Sequence, residues 1–224
     1  MRQACAMAAG LQDLTIGVLG GTGPLGKGLA RRWCAAGLKV VIGSRSAERA
    51  QAVADEIGPP ARGSDNLECA SSADLVVVAV PWEGHGDLLT SVADATAGKV
   101  VVDVVNPLGF DKQGPFPLDV AEGGAAQQAQ ILLPQARVVA AFHHVSAVLL
   151  NDPDVAEVRM DVLVLGEDRE DTDLVRALAD AIPGMRGVYA GRLRNAGQVE
   201  ALTANLIAIN RRYKAHAGVK ITDI

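Results

Sequence analysis

A glycine-rich turn between two apolar segments constrains the fold of this chain more than any other feature of its sequence. The turn, Gly21-Thr22-Gly23-Pro24-Leu25-Gly26, follows an apolar run that ends at Leu19 and precedes a helical pattern. In that context the spacing is typical of dinucleotide binding, whereas a lone glycine triplet is more often an ordinary loop. Gly21 permits a tight turn, Gly23 lets the main chain approach a pyrophosphate, and Gly26 lets the helix pack closely on the strand. Amides at the start of that helix then face the anion.

The end of the second apolar segment indicates which nucleotide is bound. NAD sites carry an acidic residue about 20 residues beyond the glycines, at the end of the second strand. Here that strand, residues 39–42, is followed by Gly43, Ser44 and Arg45, and the first carboxylate is Glu48. Ser44 can bind a phosphate, and Arg45 and Arg49 offer guanidinium donors suited to it. The alternative is that both arginines are solvated surface charges. Their position after the glycines favours NADP.

Strand and helix patterns alternate along the chain. We expect strands over residues 14–19, 39–42, 74–80, 99–105, 137–142, 161–166 and 187–189, and helices over 26–36, 47–57, 82–95, 125–133, 170–182 and 196–212. Residues 107–124, rich in Gly and Pro, are expected to form a loop over the carboxyl edge of the sheet. Short apolar strands between helices predict an α/β fold, a Rossmann-type doubly wound and mostly parallel sheet.

Three regions are expected. Residues 1–13 form an N-terminal extension, 14–190 a dinucleotide-binding domain with added strands, and 191–224 a small C-terminal helical segment. Between residues 186 and 220 there are seven basic side chains and one acid, Glu200. Such a basic segment can attract an anionic ligand. For any one of these side chains, a solvated helix end is an equally good interpretation.

Composition narrows the class of protein. The net charge of −5 argues against general nucleic-acid binding, and the longest apolar runs have the length of a strand rather than of a membrane span. Cys5, Cys34 and Cys69 are odd in number and widely spaced, which indicates neither a disulfide framework nor a zinc site. We therefore expect a cytoplasmic protein without a metal or a membrane partner.

Three strand ends are candidates for the rest of the site, because ligands of doubly wound sheets lie outside the carboxyl ends of the strands. They are Val80-Pro81-Trp82, Val105-Asn106-Pro107 and His143-His144-Val145-Ser146-Ala147. Val80 and Asn106 could border a nicotinamide. Adjacent histidines on an extended strand point to opposite faces, so a shared metal is not expected.

Missing motifs narrow the chemistry. Tyr189 and Tyr213 lack a lysine four residues on, and neither a G-x-S-x-G motif nor a plausible carboxylate dyad is present. No catalytic acid is therefore assigned. A cofactor site without an obvious proton donor suits a reaction between two cofactors, which mainly requires their reacting carbons to be held about 3–3.5 Å apart.

Together these segments resemble the F420-dependent NADP oxidoreductases, also known as NADPH-dependent reductases of the deazaflavin coenzyme F420. The resemblance runs from Thr15 to Ile221. It rests on residues 20–30, on Gly43-Ser44-Arg45, on Pro81-Trp82-Glu83, on Ala141-Phe142-His143 with Ala147, and on the run from Ala190-Gly191 through residues 199–203. The glycine loop alone is common to many proteins, but the combination is far more specific.

The resemblance implies where two cofactors bind. NADP would be held by residues 22–25, by Ser44, Arg45 and Arg49 at the 2′-phosphate, and by Val80, Asn106 and Ala147 near the nicotinamide. The deazaflavin would stack on the nicotinamide between Pro81-Trp82 and residues 143–147, which include His143 and Val145. Its anionic tail would lie toward the basic terminal segment. The family transfers hydride directly and reversibly, and it forms homodimers.

The chain departs from the archaeal pattern at two positions. Ser146 stands where a proline is expected after the histidine turn, and Asn106 stands where an apolar residue can occur. Both departures concern the grip on the deazaflavin. Two other functions stay open from the residues alone: an NADP-dependent reductase of a small imine or carbonyl compound, and an NADP sensor without catalysis.

Overall fold

A computed structural model describes residues 10–224 of the protein. In that part of the chain the strands are β1 (Thr15–Leu19), β2 (Lys39–Ser44), β3 (Arg62–Asp65), β4 (Leu75–Val78), β5 (Val100–Asp103), β6 (Leu108–Asp111), β7 (Gly114–Pro117), β8 (Arg137–Ala140), β9 (Met160–Leu165) and β10 (Met185–Gly191). The helices are α1 (Pro24–Ala35), α2 (Ala47–Ile57), α3 (Asn66–Ser72), α4 (His85–Thr96), α5 (Ala125–Leu132), α6 (Ala147–Asn151), α7 (Arg169–Asp180) and α8 (Ala196–Tyr213).

Eight of these strands form one sheet in the order β10-β9-β8-β5-β4-β1-β2-β3. Neighbours pair in parallel except β8 and β9, which run antiparallel. The chain leaves β1 toward β2 on one side and returns to β4 on the other. The carboxyl ends of β1 and β4 therefore flank the point where strand order reverses, which is where such sheets bind ligands. The expected Rossmann-type, mostly parallel architecture is confirmed.

The core lies on both faces of this sheet because central strands such as β4 are apolar at every position rather than at alternate ones. Leu75 and Val77 pack into one buried cluster, and Val76 and Val78 into the other, as side chains alternate along a strand. In the first cluster the rings of Trp33 and Phe142 meet edge to face, with centroids 5.7 Å apart. Since both faces are filled, only the strand ends are open to a ligand.

Several expected elements differ from the structure. Residues 107–124 are not simply a loop, because β6 and β7 pair there as an antiparallel hairpin. The short elements β3, α3 and α6 were not expected at all, and β8 ends at Ala140 rather than at Phe142. Of the expected N-terminal extension, residues 1–9 lie outside the described part, whereas Leu11 is 1% exposed and belongs to the core rather than to a loose segment.

Candidate functional site

The glycine turn occupies the carboxyl end of β1, at the centre of the sheet. Gly20, immediately before the expected motif, has a φ of 70°, and a Cβ there would lie 2.5 Å from Val80 Cγ1. The left-handed residue of the turn is therefore Gly20, one position before Gly21, the glycine expected to permit the tight turn. The Gly21 amide donates to the Gly43 carbonyl over 2.9 Å, which joins the turn to β2. This turn brings the start of α1 to the ligand edge.

The first turn of α1 is open to an anion. Its N-cap Gly23 provides no side-chain acceptor, Pro24 occupies the first helical position, and the first turn carries no acidic residue. The amides of Leu25 and Gly26 therefore face outward with the positive end of the helix dipole. By contrast, Ser46 caps α2 and Asp168 caps α7, and acidic residues occupy the first turn of each. The first turn of α1 therefore offers only main-chain donors, as a pyrophosphate site requires.

Gly26 lets α1 approach β1 as expected. A Cβ at Gly26 would lie 2.9 Å from Gly21 Cα and 3.2 Å from Val18 Cγ1. Real Cβ atoms do not tolerate the shorter of these approaches, so any larger residue would push the helix away from the strand. Because Gly26 has no Cβ, the N-terminus of α1 can lie close to the end of β1.

Ser44, Arg45 and Arg49 lie together at the carboxyl end of β2. Ser44 is buried, whereas both arginines are exposed and are not among the ion pairs of the described residues. Sequence reasoning missed Ser46 between them, whose amide donates to Ser44 Oγ over 3.4 Å. The Ser46 hydroxyl donates to Glu48 Oε2 over 2.7 Å, and this bond lowers the pKa of that carboxyl. Two serines and two exposed arginines thus follow one another from the end of β2 into the first turn of α2.

The carboxyl ends of β4 and β5 contribute Val80, Pro81, Trp82 and Asn106. Val80 and Trp82 are half-buried, and Pro81 is exposed. Asn106 Nδ2 donates to the His143 carbonyl over 2.8 Å, while its buried Oδ1 has no partner. The amide therefore links the β5 end to the β8 end and leaves one acceptor free. An acceptor in this position can bind a carboxamide or a hydroxyl group.

The segment after β8 differs from the extended strand expected there. Phe142 has a φ of 61°, a left-handed value, so the chain turns and His143 and His144 lie in that turn. Both are buried, at 2% and 4% exposure, so neither ring faces water. Burial lowers the pKa of each to about 4, so both are neutral near pH 7. Among residues 10–224, no group of three or more His, Cys, Asp or Glu side chains is arranged to hold a metal ion.

Val145 and Ala147 follow the histidine turn. Val145 is buried, and Ala147 begins α6, where the Ser146 hydroxyl accepts from the Leu149 amide over 3.4 Å. Asn151 at the end of α6 donates to the Pro24 carbonyl over 2.8 Å. The β8 segment is thereby tied directly to the start of α1. These contacts bring the sequence-predicted residues of three strand ends to one edge of the sheet.

A buried polar network behind this edge was not expected. His85 Nε2 lies 2.7 Å from Asp103 Oδ2, and His85 Nδ1 lies 3.1 Å from Gln128 Oε1. Glu200 in α8 accepts from the amides of Ala125 and Ala126, at 2.8 and 3.2 Å. The only sequence signal was an acid inside the apolar run VVVDVV.

Burial and charge interactions shift the pKa values of Glu200 and His85 in this network. Burial raises the pKa of Glu200 to about 7 despite its two amide donors. Burial lowers the pKa of His85, but the hydrogen bond and charge of Asp103 outweigh burial, and the net shift is upward. A small cavity of about 160 Å³ adjoins Glu200. It is lined by Pro107, Pro117, Leu118, Asp119, Val120, Gly123, Gly124, Gly197, Glu200 and Ala201.

The basic residues of the terminal segment are divided between two roles. Arg186 and Lys220 both bind the buried Asp161, at 2.6 and 3.2 Å, and Arg192 binds Glu167 at 2.7 Å. These three are therefore structural partners rather than open attractors of an anion. In the part of the chain described, the remaining four form no ion pair: Arg194, Arg211, Arg212 and Lys214. The count of basic residues between 186 and 220 therefore overstates how many of them are open to an anionic ligand.

Among residues 10–224, every helix is too short or too polar to span a membrane.

The sheet is doubly wound, and where its strand order reverses a glycine turn leads into a helix whose N-terminus has no side-chain cap. These two features define a dinucleotide-binding protein of the Rossmann class. A family model described as "NADP oxidoreductase coenzyme F420-dependent" matches residues 15–107. The F420-dependent NADP reductase of Methanothermobacter marburgensis is 36% identical over 223 residues, which cover 94% of this chain and 99% of that protein. The protein of the same name from Methanocaldococcus jannaschii is 34% identical over 226 residues, with the same two coverages.

Solved structures agree with this assignment. A crystal structure described as a candidate F420-dependent NADP reductase from Arthrobacter has a TM-score of 0.81 and 27% identity. It covers 94% of this chain and 100% of that one. The chain belongs to the F420-dependent NADP reductase family.

Proposed function

We propose that this protein transfers a hydride reversibly between NADP(H) and the deazaflavin coenzyme F420. The observation that carries the proposal is similarity to F420-dependent NADP reductases over 94% of the chain, together with an open nucleotide turn at the switch point of the sheet. The reaction is an oxidoreduction with two cofactors as its substrates. Each residue below acts by holding one of them.

NADP binding is assigned to the glycine turn and the β2 end. Residues 21–26 form the turn that receives the pyrophosphate, with the Leu25 and Gly26 amides as its open donors, and Ser44, Arg45 and Arg49 receive the 2′-phosphate. Support for the phosphate role comes from the two exposed guanidinium groups beside a buried hydroxyl and from the engagement of Glu48 by Ser46. Val80, Asn106 and Ala147 border the nicotinamide.

The deazaflavin is assigned to the space between the Pro81-Trp82 turn and the segment containing His143, Val145 and Ala147. The half-buried Trp82 offers an apolar surface to a flat ring, and the neutral His143 and His144 lie buried within the opposite wall. Direct hydride transfer needs stacking and orientation rather than a protein nucleophile. No catalytic acid is assigned. Arg194, Arg211, Arg212 and Lys214 are the basic groups offered to the anionic tail.

The assembly and location belong to the same proposal. We place residues 14–190 in the dinucleotide-binding domain and residues 191–224 in a segment that completes the deazaflavin site and contacts a second subunit. Ile209 and Tyr213, at 40% and 73% exposure on the last turns of α8, support a homodimer contact. Buried thiols at Cys34 and Cys69 are compatible with a reducing cytoplasm. Light scattering during gel filtration tests the dimer, which a monomeric mass would contradict.

An anaerobic absorbance assay tests the reaction. Purified protein is mixed with oxidised F420 and NADPH, with NADH in parallel. Loss of the deazaflavin absorbance with NADPH, and much less with NADH, is the expected result. Protein that binds NADPH but leaves F420 oxidised would instead favour a reductase of a small imine or carbonyl compound, or a sensor. Turnover of cyclic imines would then separate those two.

A further inference from the structure

The buried pair of His85 and Asp103 holds two walls of the site at once. Asp103 Oδ1 accepts from the Val105 amide over 3.0 Å, which fixes the chain just before Asn106. Asp103 Oδ2 lies 2.7 Å from His85 Nε2, and both side chains are fully buried. His85 begins α4, immediately after the turn that carries Trp82. One pair therefore connects the β5 end to the β4 end.

The hydrogen-bond partners of His85 favour a ring that is protonated on both nitrogens and therefore cationic. Gln128 Nε2 lies 3.5 Å from Glu122 Oε1, an orientation that turns Gln128 Oε1 toward His85 Nδ1. An amide oxygen only accepts, so Nδ1 carries a proton, and the carboxylate of Asp103 requires a proton on Nε2 as well. The raised pKa of His85 agrees with this assignment.

The cationic ring also contacts the indole of Trp82. The two ring centroids are 5.4 Å apart with planes inclined by 30°. A cation against the face of tryptophan is attracted to its π electrons, more strongly where water is excluded. Trp82 is half-buried, so one side of the indole packs inward while part of it stays open at the sheet edge.

Stability alone does not account for such a pair. Replacing a buried ion pair by apolar residues of similar size is often neutral or stabilising, so burial of charge is weak grounds for a stabilising role. What the pair supplies here is orientation, since Asp103 Oδ1 holds the chain just before Asn106 and Asp103 Oδ2 holds His85, which follows the Trp82 turn. Four elements converge on it: β5, α4, α5 and the Trp82 turn.

We propose that His85 and Asp103 are positioning residues for the deazaflavin half of the site. The imidazolium, held between Asp103 and Gln128, orients the Trp82 indole, while Asp103 holds the Val104–Asn106 segment. Neither side chain touches a substrate. The inference rests on the proposed function for the identity of the ligand, but the orientation of Trp82 is independent of it.

Charged groups from several elements face this imidazolium. Asp103 belongs to β5, Glu200 to α8, and Glu122 reaches it through Gln128. His143, also near Asp103, is neutral at pH 7. Because Asp103 contacts the His85 ring directly, loss of the Asp103 charge is expected to change the pKa of His85 more than loss of the charge on Glu200 or Glu122.

The test uses three variants of the pair: His85→Gln, Asp103→Asn and the double variant that carries both substitutions. Asp87→Asn is the control. Asp87 is an exposed carboxylate on the same helix as His85, and it controls for loss of a charge on α4. Each site variant is expected to raise the KM for F420 about tenfold. The KM for NADPH should change less than threefold, because Asp103→Asn keeps an oxygen that can accept from the Val105 amide and so leaves the segment before Asn106 in place. The double variant should resemble the single ones, because the two residues act as one unit. Equal changes in both KM values, or none, would overturn the proposal.

Tryptophan fluorescence supplies a readout that does not depend on turnover. Trp33 is fully buried elsewhere, and subtraction of a Trp82→Phe spectrum isolates the Trp82 emission. A stacked imidazolium quenches indole, so this emission should rise in His85→Gln and, in the wild type, as pH is raised through the pKa of His85. No such rise would reject the stacking. If His85→Gln does not fold, Gln128→Leu replaces it in both the KM and the fluorescence measurements, because it removes the acceptor for His85 Nδ1.

The two levels of proposal fail differently. A wild-type protein that leaves F420 oxidised, yet shows the His85-dependent Trp82 emission, would refute the function and keep the positioning geometry. A protein that reduces F420 with unchanged KM in His85→Gln and Asp103→Asn would keep the function and refute the positioning role.

Discussion

At the scale of single residues, steric room decides which glycines can be replaced. Gly20 and Gly98 both have left-handed φ values, 70° and 74°. A Cβ at Gly20 would meet Val80 Cγ1 at 2.5 Å and the Ala79 carbonyl oxygen at 2.7 Å, whereas a Cβ at Gly98 would meet nothing within 4 Å. The two positions therefore separate backbone strain from a clash.

Gly20→Ala is expected to destabilise the fold by about 2–5 kcal/mol, against about 1–2 kcal/mol for Gly98→Ala. The left-handed conformation costs roughly 1–2 kcal/mol in either variant. Overpacking adds about 1–3 kcal/mol at Gly20 alone. Urea unfolding measures the difference, and equal losses in the two variants would show that the Val80 contact does not restrict the turn.

Arg45 and Arg49 are predicted to select the nucleotide. Arg45→Ala and Arg49→Ala should each raise the KM for NADPH roughly tenfold or more, the effect of losing a charge-assisted hydrogen bond worth about 1.5–3 kcal/mol. The KM for NADH should change little, since NADH lacks the phosphate. Arg159→Ala is the control, because Arg159 is an exposed arginine paired with Glu157. Equal loss for NADPH and NADH would refute the phosphate role.

At the scale of elements, α1 and α6 are joined by one arginine. Arg32 in α1 donates to the carbonyls of Leu149, Leu150 and Asp152 over 2.8–3.0 Å, at the carboxyl end of α6. Carbonyls at a helix end lack partners within the helix, so a cation is favourable there. The same α6 begins at Ala147, which connects the nucleotide turn with the proposed nicotinamide wall.

Arg32→Gln is expected to cost about 2–3 kcal/mol of stability and to raise the KM for NADPH, because α6 loses three of its hydrogen bonds to α1. Arg31→Gln, one residue away, removes only a surface ion pair with Glu56 and should cost at most about 1 kcal/mol. Urea unfolding and steady-state kinetics on both variants provide the comparison. An equal effect of the two substitutions would contradict the role of Arg32.

At the scale of the whole molecule, Glu200 attaches the C-terminal helix to the domain. Its carboxylate receives two amides from the start of α5, where Gly124 provides no side-chain cap. Burial nevertheless raises its pKa from 4.5 to about 7. The folded state therefore holds a proton between pH 4.5 and 7 that the unfolded state has released.

The sign of the resulting pH dependence follows from proton uptake. Stability from Glu200 is fully present below pH 4.5 and is lost as pH rises through 7, by on the order of 3 kcal/mol. His143 and His144, with pKa values lowered to about 4, contribute the opposite slope between pH 6.5 and 4. The wild type must therefore be compared with Glu200→Gln in urea unfolding at pH 5, 6, 7 and 8. A pH-independent difference would contradict the raised pKa.

The general fold and the nucleotide turn could be predicted because their signals are local. Apolar runs such as residues 75–78 and 100–103 mark buried strands, and the glycines mark the turn between strand and helix. Segments without that signal were missed. β3 reads Arg-Gly-Ser-Asp and forms a strand through pairing with the edge of β2, while the Gly- and Pro-rich β6–β7 hairpin lacks an alternating pattern.

The candidate site likewise has one part that local sequence predicts and another part that it does not. Ser44, Arg45 and the glycine turn are adjacent to the strands that position them, so sequence alone determined the α/β class and the expected preference for NADP. Contacts between distant segments were decided only by the tertiary structure: His85 with Asp103 and Gln128, Glu200 with α5, and Asn106 with His143. A buried charge is stable only where its partners converge, and packing of the whole chain, rather than local sequence, brings those partners together.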